Sequence, residues 1–325
     1  MTKSMASAPA KVILFGEHFV VYGNPAILAS INRRVTVNAR AMDESKVVIR
    51  SDIGIAGEYS SSGFKKIEGG TEARTMLEPL YIAIRQVISS RSKIAGIEVA
   101  ISSAVPPGIG LGSSAAACVA TVAAVNSLIK KKPSKQKICE LAIESERIVH
   151  KNSSGADCYV STFGGLIHYS KAKRFKRMQA KDPLLLVVAS TGLRHSTGDL
   201  VTAVKKFKYR NESLFKNLAK QAAAINRQAQ RAIAAGRHDQ IGDLMNKNQA
   251  ILSQIGISHY KVDDLIDICT KAGALGAKIT GAGGGGAVIA LAESWQDAAK
   301  IVSRVKAAGY ESFEAEIDWK GLIVY

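Results

Sequence analysis

The sequence predicts an α+β protein in two parts, residues 1–182 and 183–325, and three observations carry that expectation. The chain has 325 residues, 47% of them hydrophobic, which is enough for more than one core at roughly 100–200 residues per domain. Aromatic residues make up only 6% while Ala, Val and Ile are plentiful, which suits layered strands and helices better than a β-sandwich. Finally, strand-like and helix-like periods alternate to about residue 182, after which the order is helices, strand, strand, helix, strand.

The elements follow in chain order. Residues 6–15 ("ASAPAKVILF") and 33–41 ("RRVTVNARA") read as strands, the second alternating Val35, Val37 and Ala39, and 46–51 continues the sheet. Met76, Leu77, Leu80, Ile82, Ile84 and Val87 show helical spacing over 73–89, and 96–103 is a strand. A helix runs from Ser113 to about Lys130, and another from Ser134, its N-cap, to about His150. Strands lie near 165–170 and 184–190; the second is fully apolar, as in a sheet covered on both faces. Three or four helical patterns fill 196–273. "GAKIT", "GAVIALAE", a helix over 294–308, "FEAEID" and "GLIVY" complete the chain.

Composition narrows the function. The formal net charge is +17, concentrated in "KAKRFKR" (171–177) and across 205–237. Both stretches read as solvated loops and helix faces and lack the repeated aromatics of a platform for stacking bases. The charge is therefore read as a field that steers small anions, with no nucleic acid and no membrane among the partners. Cys118, Cys139, Cys158 and Cys269 show no metal-ligand spacing and are expected to be reduced and buried. With no targeting segment and no 18-residue apolar run, the expected location is the cytoplasm.

Three segments carry chemistry. In "AVPPGIGLGSSAAACVATVAAV" a glycine loop runs straight into an alanine-rich helix. A helix start offers unpaired N–H groups and partial positive charge, and glycines let backbone wrap closely around an anion. Residues Pro107, Gly108, Ile109, Gly110, Leu111, Gly112, Ser113, Ser114 and Ala115 thus have the parts of a phosphate cradle. The Lys of a Walker loop and the closing Gly of a nucleophile elbow are both missing. "KITGAGGGGAVIAL" places five glycines within six residues between two strands. "APAKVILFGEHFVVYGNPAI" puts Lys11, Glu17 and His18 on a strand and the loop after it. Taken singly, each has a plainer reading: a capped turn, a bulged hairpin, a salt-bridged core lysine beside a structural histidine.

Together, in this order and at these separations, the segments resemble the GHMP kinase superfamily over nearly the whole chain. Within it, "GEHFVVYGNPAI", "ESERIVHKNSSGADCYVSTFGG" and "NQAILSQIGIS" are similar to the mevalonate kinases of the short archaeal type. Galactokinases follow the GEH with an Asp, where this chain has Val20.

The resemblance implies a two-domain fold, ribosomal-S5-like then ferredoxin-like, with the site in the cleft between. It implies ATP-dependent phosphorylation of the 5-hydroxyl of mevalonate, with the triphosphate over 107–115 and Mg²⁺ held by Ser114 and Glu146, Glu144 being a nearby competitor. Asp157, in a Ser/Gly loop beyond the helix end, would be the catalytic carboxylate, with Lys11 beside it. Glu17, His18, Ser196 and Thr197 would lie near mevalonate, and Gly281, Gly283 and Gly284 would close over the site. A homodimer is implied as well. The chain departs from the family pattern at Ala10, Ser153 and His195, where relatives commonly have Gly, Pro and Arg. Another alcohol acceptor and a nucleic-acid-binding S5-like module are the competing readings.

Overall fold

Two long paired strands form the spine of the first part, β1 (Lys3–Phe15) and β2 (Ala26–Met42). The computed structural model describes residues 2–88, 94–149, 154–170, 174–193 and 197–325. β2 starts seven residues before the predicted 33, because "AILASI" is an unalternating apolar run that periodicity alone cannot assign. This early stretch is buried between β1 on one edge and β7 (Leu166–Ser170) on the other. Farther along, β2 pairs with β6 (Gly96–Ser103), which takes β3 (Val47–Ser51) in parallel. A hairpin, β4 (Ile55–Ser60) and β5 (Gly63–Glu68), continues the sheet. Sequence reasoning missed this hairpin, since outward-facing Lys65, Lys66 and Glu68 give its edge strand no apolar pattern.

The basic stretch read as a solvated loop is corrected in part. Arg174–Met178 form β8, an edge strand on β7, while 171–173 lie outside the described residues. Lysine and arginine suit such an edge because they discourage further strand pairing.

Behind the sheet lies α2 (Ser113–Leu128), packed on β1 and β2 and flanked by α1 (Ala73–Val87), α3 (Lys135–Val149) and α4 (Ala156–Phe163). It is buried on nearly every side, so it has no polar stripe. Alanine lets five neighbours approach one helix closely while retaining the highest helix propensity. The first turn of α3 is tied by Ser134, whose Oγ accepts from Lys137 N–H at 3.2 Å.

Among the described residues, the second sheet has four strands: β9 (Leu185–Ser190), β10 (Gly276–Thr280), β11 (Ala287–Ala292) and β12 (Glu311–Glu316). Their spatial order is β10-β11-β9-β12, all antiparallel. That is the expected ferredoxin-like arrangement. Between β9 and β10 run α5 (Thr197–Arg210), α6 (Glu212–Ala235), α7 (His238–Gln254) and α8 (Tyr260–Lys271). α9 (Trp295–Ala307) crosses from β11 to β12. The chain then returns to the first sheet as β13 (Ile323–Val324), paired with β1. A half-buried Arg34–Asp318 ion pair secures this return, with Arg34 donating to Ser7 O at 2.8 Å and Gly321 O at 2.7 Å.

The second sheet is held tightly against its helices at β10. That strand meets α7 backbone to backbone, and a Cβ on Gly276 would lie 2.1 Å from the Gly242 carbonyl oxygen. Gly276→Ala should therefore lower stability by about 1–3 kcal/mol, the usual cost of overpacking a rigid contact. Urea denaturation of the two proteins measures it, and an unchanged midpoint would show that the two elements can part freely.

Candidate active site

The site is built on Lys11, which β1 carries into the interior at 5% exposure. Its backbone N–H donates to Leu111 O at 2.9 Å, stitching β1 to the glycine loop before α2. The side chain then runs beneath Gly112, where an added Cβ would meet its Cγ at 2.9 Å and its Cε at 3.0 Å. Gly112 also has φ 70° as the N-cap of α2, so glycine is required for both space and conformation. The ammonium emerges 3.3 Å from Asp157 Oδ2.

Asp157 does not lie in a loop beyond a helix, as the sequence suggested. It sits in the first turn of α4, whose N-cap is Gly155 in the left-handed conformation. Such a short helix, flanked by Ser and Gly, offers too few turns for periodicity to show. The helix start favours the carboxylate there, and its side chain remains 38% exposed, open to a ligand.

Glu146 approaches from α3 and is buried, whereas Glu144 on the same helix is exposed. Burial first, then the negative charge of Asp157, pushes the Glu146 carboxyl up to about 7. Hydrogen bonds from Ser114 and Cys158, and the charge of Lys11, act in the opposite direction. The Cys158 thiol lies 3.5 Å from Glu146 Oε2.

In the loop over these groups Ile109 and Leu111 are buried anchors, while Pro107, Gly108 and Gly110 are exposed, as is Ser114. Ser113 is half-buried and Ala115 buried. Among the described residues no side chain caps α2, which leaves first-turn N–H groups available as donors to an anion.

The second glycine loop, between β10 and β11, lies directly against the first. A Cβ on Gly281 would be 3.5 Å from Gly110 O, and one on Gly286 would be 3.4 Å from Ile109 O. Gly284 N–H donates to Ile257 O at 2.7 Å, and a Cβ on Gly283 would meet that oxygen at 2.6 Å. His18, buried at φ 56°, reaches this loop through Nε2, 2.7 Å from Ala282 O. A carbonyl can only accept, so Nε2 carries the proton, and burial lowers the ring's pKa and keeps it neutral.

Glu17 is enclosed rather than open to the cleft. It forms a buried ion pair with Lys278 of β10, in which desolvation raises the carboxyl and lowers the ammonium while each partner opposes the other's shift. Two residues on, Thr280 Oγ1 accepts from Ile13 N–H at 2.8 Å and donates to Ile13 O at 3.2 Å. Sequence reasoning missed Lys278 and Thr280. The available signal was a lysine inside a five-residue strand otherwise suited to the core. Ser196 lies outside the described residues, as do Arg194, His195 and Ser153; Thr197 opens α5.

These groups form an anion cradle with a lysine and an exposed carboxylate at its mouth, the parts needed to move a phosphoryl group onto a nearby hydroxyl. The GHMP kinases N terminal domain family matches residues 79–165, and the GHMP kinases C terminal family matches 229–311. The mevalonate kinase of Pyrococcus furiosus is 38% identical, covering 98% of both chains. That of Pyrococcus horikoshii is 37% identical over 98% of this chain and 96% of its own. The crystal structure of L. major mevalonate kinase in complex with R-mevalonate superposes with a TM-score of 0.83 at 28% identity, covering 96% and 95% of the two chains. With its fold, its two glycine loops and a full-length relative all in agreement, this chain belongs to the mevalonate kinase family of the GHMP kinases.

Proposed function

We propose that the protein transfers the γ-phosphoryl group of ATP to the 5-hydroxyl of mevalonate, giving mevalonate 5-phosphate and ADP in isoprenoid biosynthesis. The observation that carries this reading is the Lys11–Asp157 pair, set beneath the uncapped start of α2. Residues 107–115 hold the triphosphate, with the α2 N–H groups on the phosphate nearest the helix. Asp157 accepts or orients the hydroxyl proton, and Lys11 counters the charge that develops on the transferred group. His18 lies on the acceptor side and Glu17 supports it from within, while Ser196 and Thr197 are assigned to mevalonate by the family resemblance alone. The part of the chain from 183 onward closes Gly281, Gly283 and Gly284 over the nucleotide part, 1–182.

A divalent cation fits the donors present. Among the described residues no cluster of three or more His, Cys, Asp or Glu could hold a metal alone. Ser114 and Glu146 instead offer a hydroxyl and a carboxylate, suited to Mg²⁺, which retains waters and phosphate oxygens. A buried carboxylate with Asp157 as a neighbour is also a place where a cation would relieve unfavourable charge. When bound, Mg²⁺ would neutralise phosphate charge during transfer.

The same reading takes the protein to be a cytoplasmic homodimer. Four buried free cysteines fit a reducing compartment, and the family resemblance suggests the dimer. No helix of the described residues is long and apolar enough to cross a membrane.

Incubation with ATP, Mg²⁺ and mevalonate, followed by ³¹P NMR and mass spectrometry, should show mevalonate 5-phosphate. Asp157→Asn should lower kcat by about 10²–10⁴-fold, the usual contribution of a positioned acid or base. ATP bound without any acceptor turnover would defeat the substrate assignment. A second expectation concerns stability. Because Glu146 titrates at about 7 when folded and near 4.5 otherwise, the folded state holds an extra proton between these values. The stability that Glu146 contributes is then fully present below pH 4.5 and is lost as pH rises from there through about 7. Glu146→Gln removes this loss, so in EDTA it should be more stable than the parent at pH 8, by up to about 3 kcal/mol. The advantage should shrink towards pH 5 in paired urea titrations, and an equal difference at both pH values would count against the buried charge.

A further inference from the structure

The Glu17–Lys278 ion pair joins the turn after β1 to β10 of the second sheet across 261 residues of sequence, with both side chains fully buried. Burying two charges rarely stabilises a fold relative to an apolar pair of similar size. This pair is also incompletely satisfied: Lys278 donates to Glu17 Oε1 and to Ile279 O at 2.6 Å, while Glu17 Oε2 lacks a hydrogen-bond partner among the described residues. Its position therefore calls for a reason other than stability.

The neighbouring contacts supply one. Alternate residues 278, 280 and 282 reach across from the second sheet and its loop. Lys278 holds Glu17, Thr280 brackets Ile13 through both backbone groups, and Ala282 O receives His18. Ile13 lies two residues beyond Lys11, on the same strand face, and Glu17 feels the Lys11 charge directly. Asp157, Lys11, Glu17 and Lys278 thus alternate in sign from the exposed carboxylate to the interior of the second sheet.

We propose that Lys278 is a positioning residue for phosphoryl transfer: through Glu17 it fixes the register of β10 against the end of β1. It thereby sets the second glycine loop over the first, so that nucleotide and acceptor meet at Lys11 and Asp157. Apolar contacts can slide by fractions of an ångström at little cost, whereas a buried ion pair with a second bond to Ile279 O is directional. This inference rests on the phosphotransfer reading above.

The test is a mutant cycle of Lys278→Met, Glu17→Leu and the double variant, read by thermal unfolding, ATP affinity and steady-state kinetics. Lys278→Met strands a buried carboxylate and should be strongly destabilised. The double variant should regain the parent's melting temperature and bind ATP within about threefold, yet keep kcat about 10²-fold down, the scale of a small misplacement of reacting groups. Should that variant fail to fold, Lys278→Arg carries the test, with kcat expected about tenfold lower at unchanged ATP affinity. A double variant that recovers kcat to within about threefold, or a Lys278→Arg enzyme with unaltered kcat, overturns the proposal and leaves the pair a structural contact. A parent protein that phosphorylates some other alcohol defeats the mevalonate reading alone, and the cycle is then read on that alcohol. A parent that phosphorylates no alcohol defeats both.

Discussion

An ammonium held under the start of a helix is the constraint on which the site depends. Lys11 is nearly enclosed, and a buried charge must find a counter-charge or lose its proton. Asp157 supplies that charge from the first turn of α4, and α4 can present it only because Gly155 bends the chain into the helix at that point. The loop above must lie close enough to cover the lysine stem, which leaves no room for a side chain at residue 112. The helix after that loop must then fit among five neighbours, hence its alanines. The glycine loop that runs into a strong helix former is in this sense a consequence of where Lys11 lies.

The second sheet completes the arrangement without contributing a charge to the pair itself. Its glycine loop stacks on the first because it carries no side chains at the points of contact, where Gly281 lies over Gly110 O and Gly286 over Ile109 O. Several groups here are held at a cost: Glu146 is burdened by burial, Glu17 lacks a partner for one oxygen among the described residues, and His18 has positive φ. Such costs cluster where a ligand is to be handled, and the close-packed core of α2 and the two sheets offsets them. The positive charge of the chain adds a field that favours anionic reactants.

Much of this was legible in the sequence. Lys11, the glycine loop and the final β-β-α-β order stand in the chain as local patterns, and local patterns are what periodicity and turn chemistry report. Residues whose role depends on distant partners were harder to read. Lys278 looks like an odd lysine in an apolar strand until Glu17 is placed against it. α4 hides Asp157 in a helix too short to show a period, and β8 looks like a solvated loop because an edge strand needs no apolar face. The early part of β2 was passed over for the opposite reason, being apolar on both faces and so without alternation.

Single-turnover rapid-quench kinetics of Lys11→Met tests the central claim most directly. With ATP and mevalonate prebound and the reaction started by Mg²⁺, phosphoryl transfer should slow by about 10²-fold or more, because a preorganised charge at the reacting centre is lost. ATP affinity should remain within about threefold of the parent's, since the cradle is built from backbone. Transfer at the parent rate by Lys11→Met, with the protein folded and ATP bound, would contradict the account.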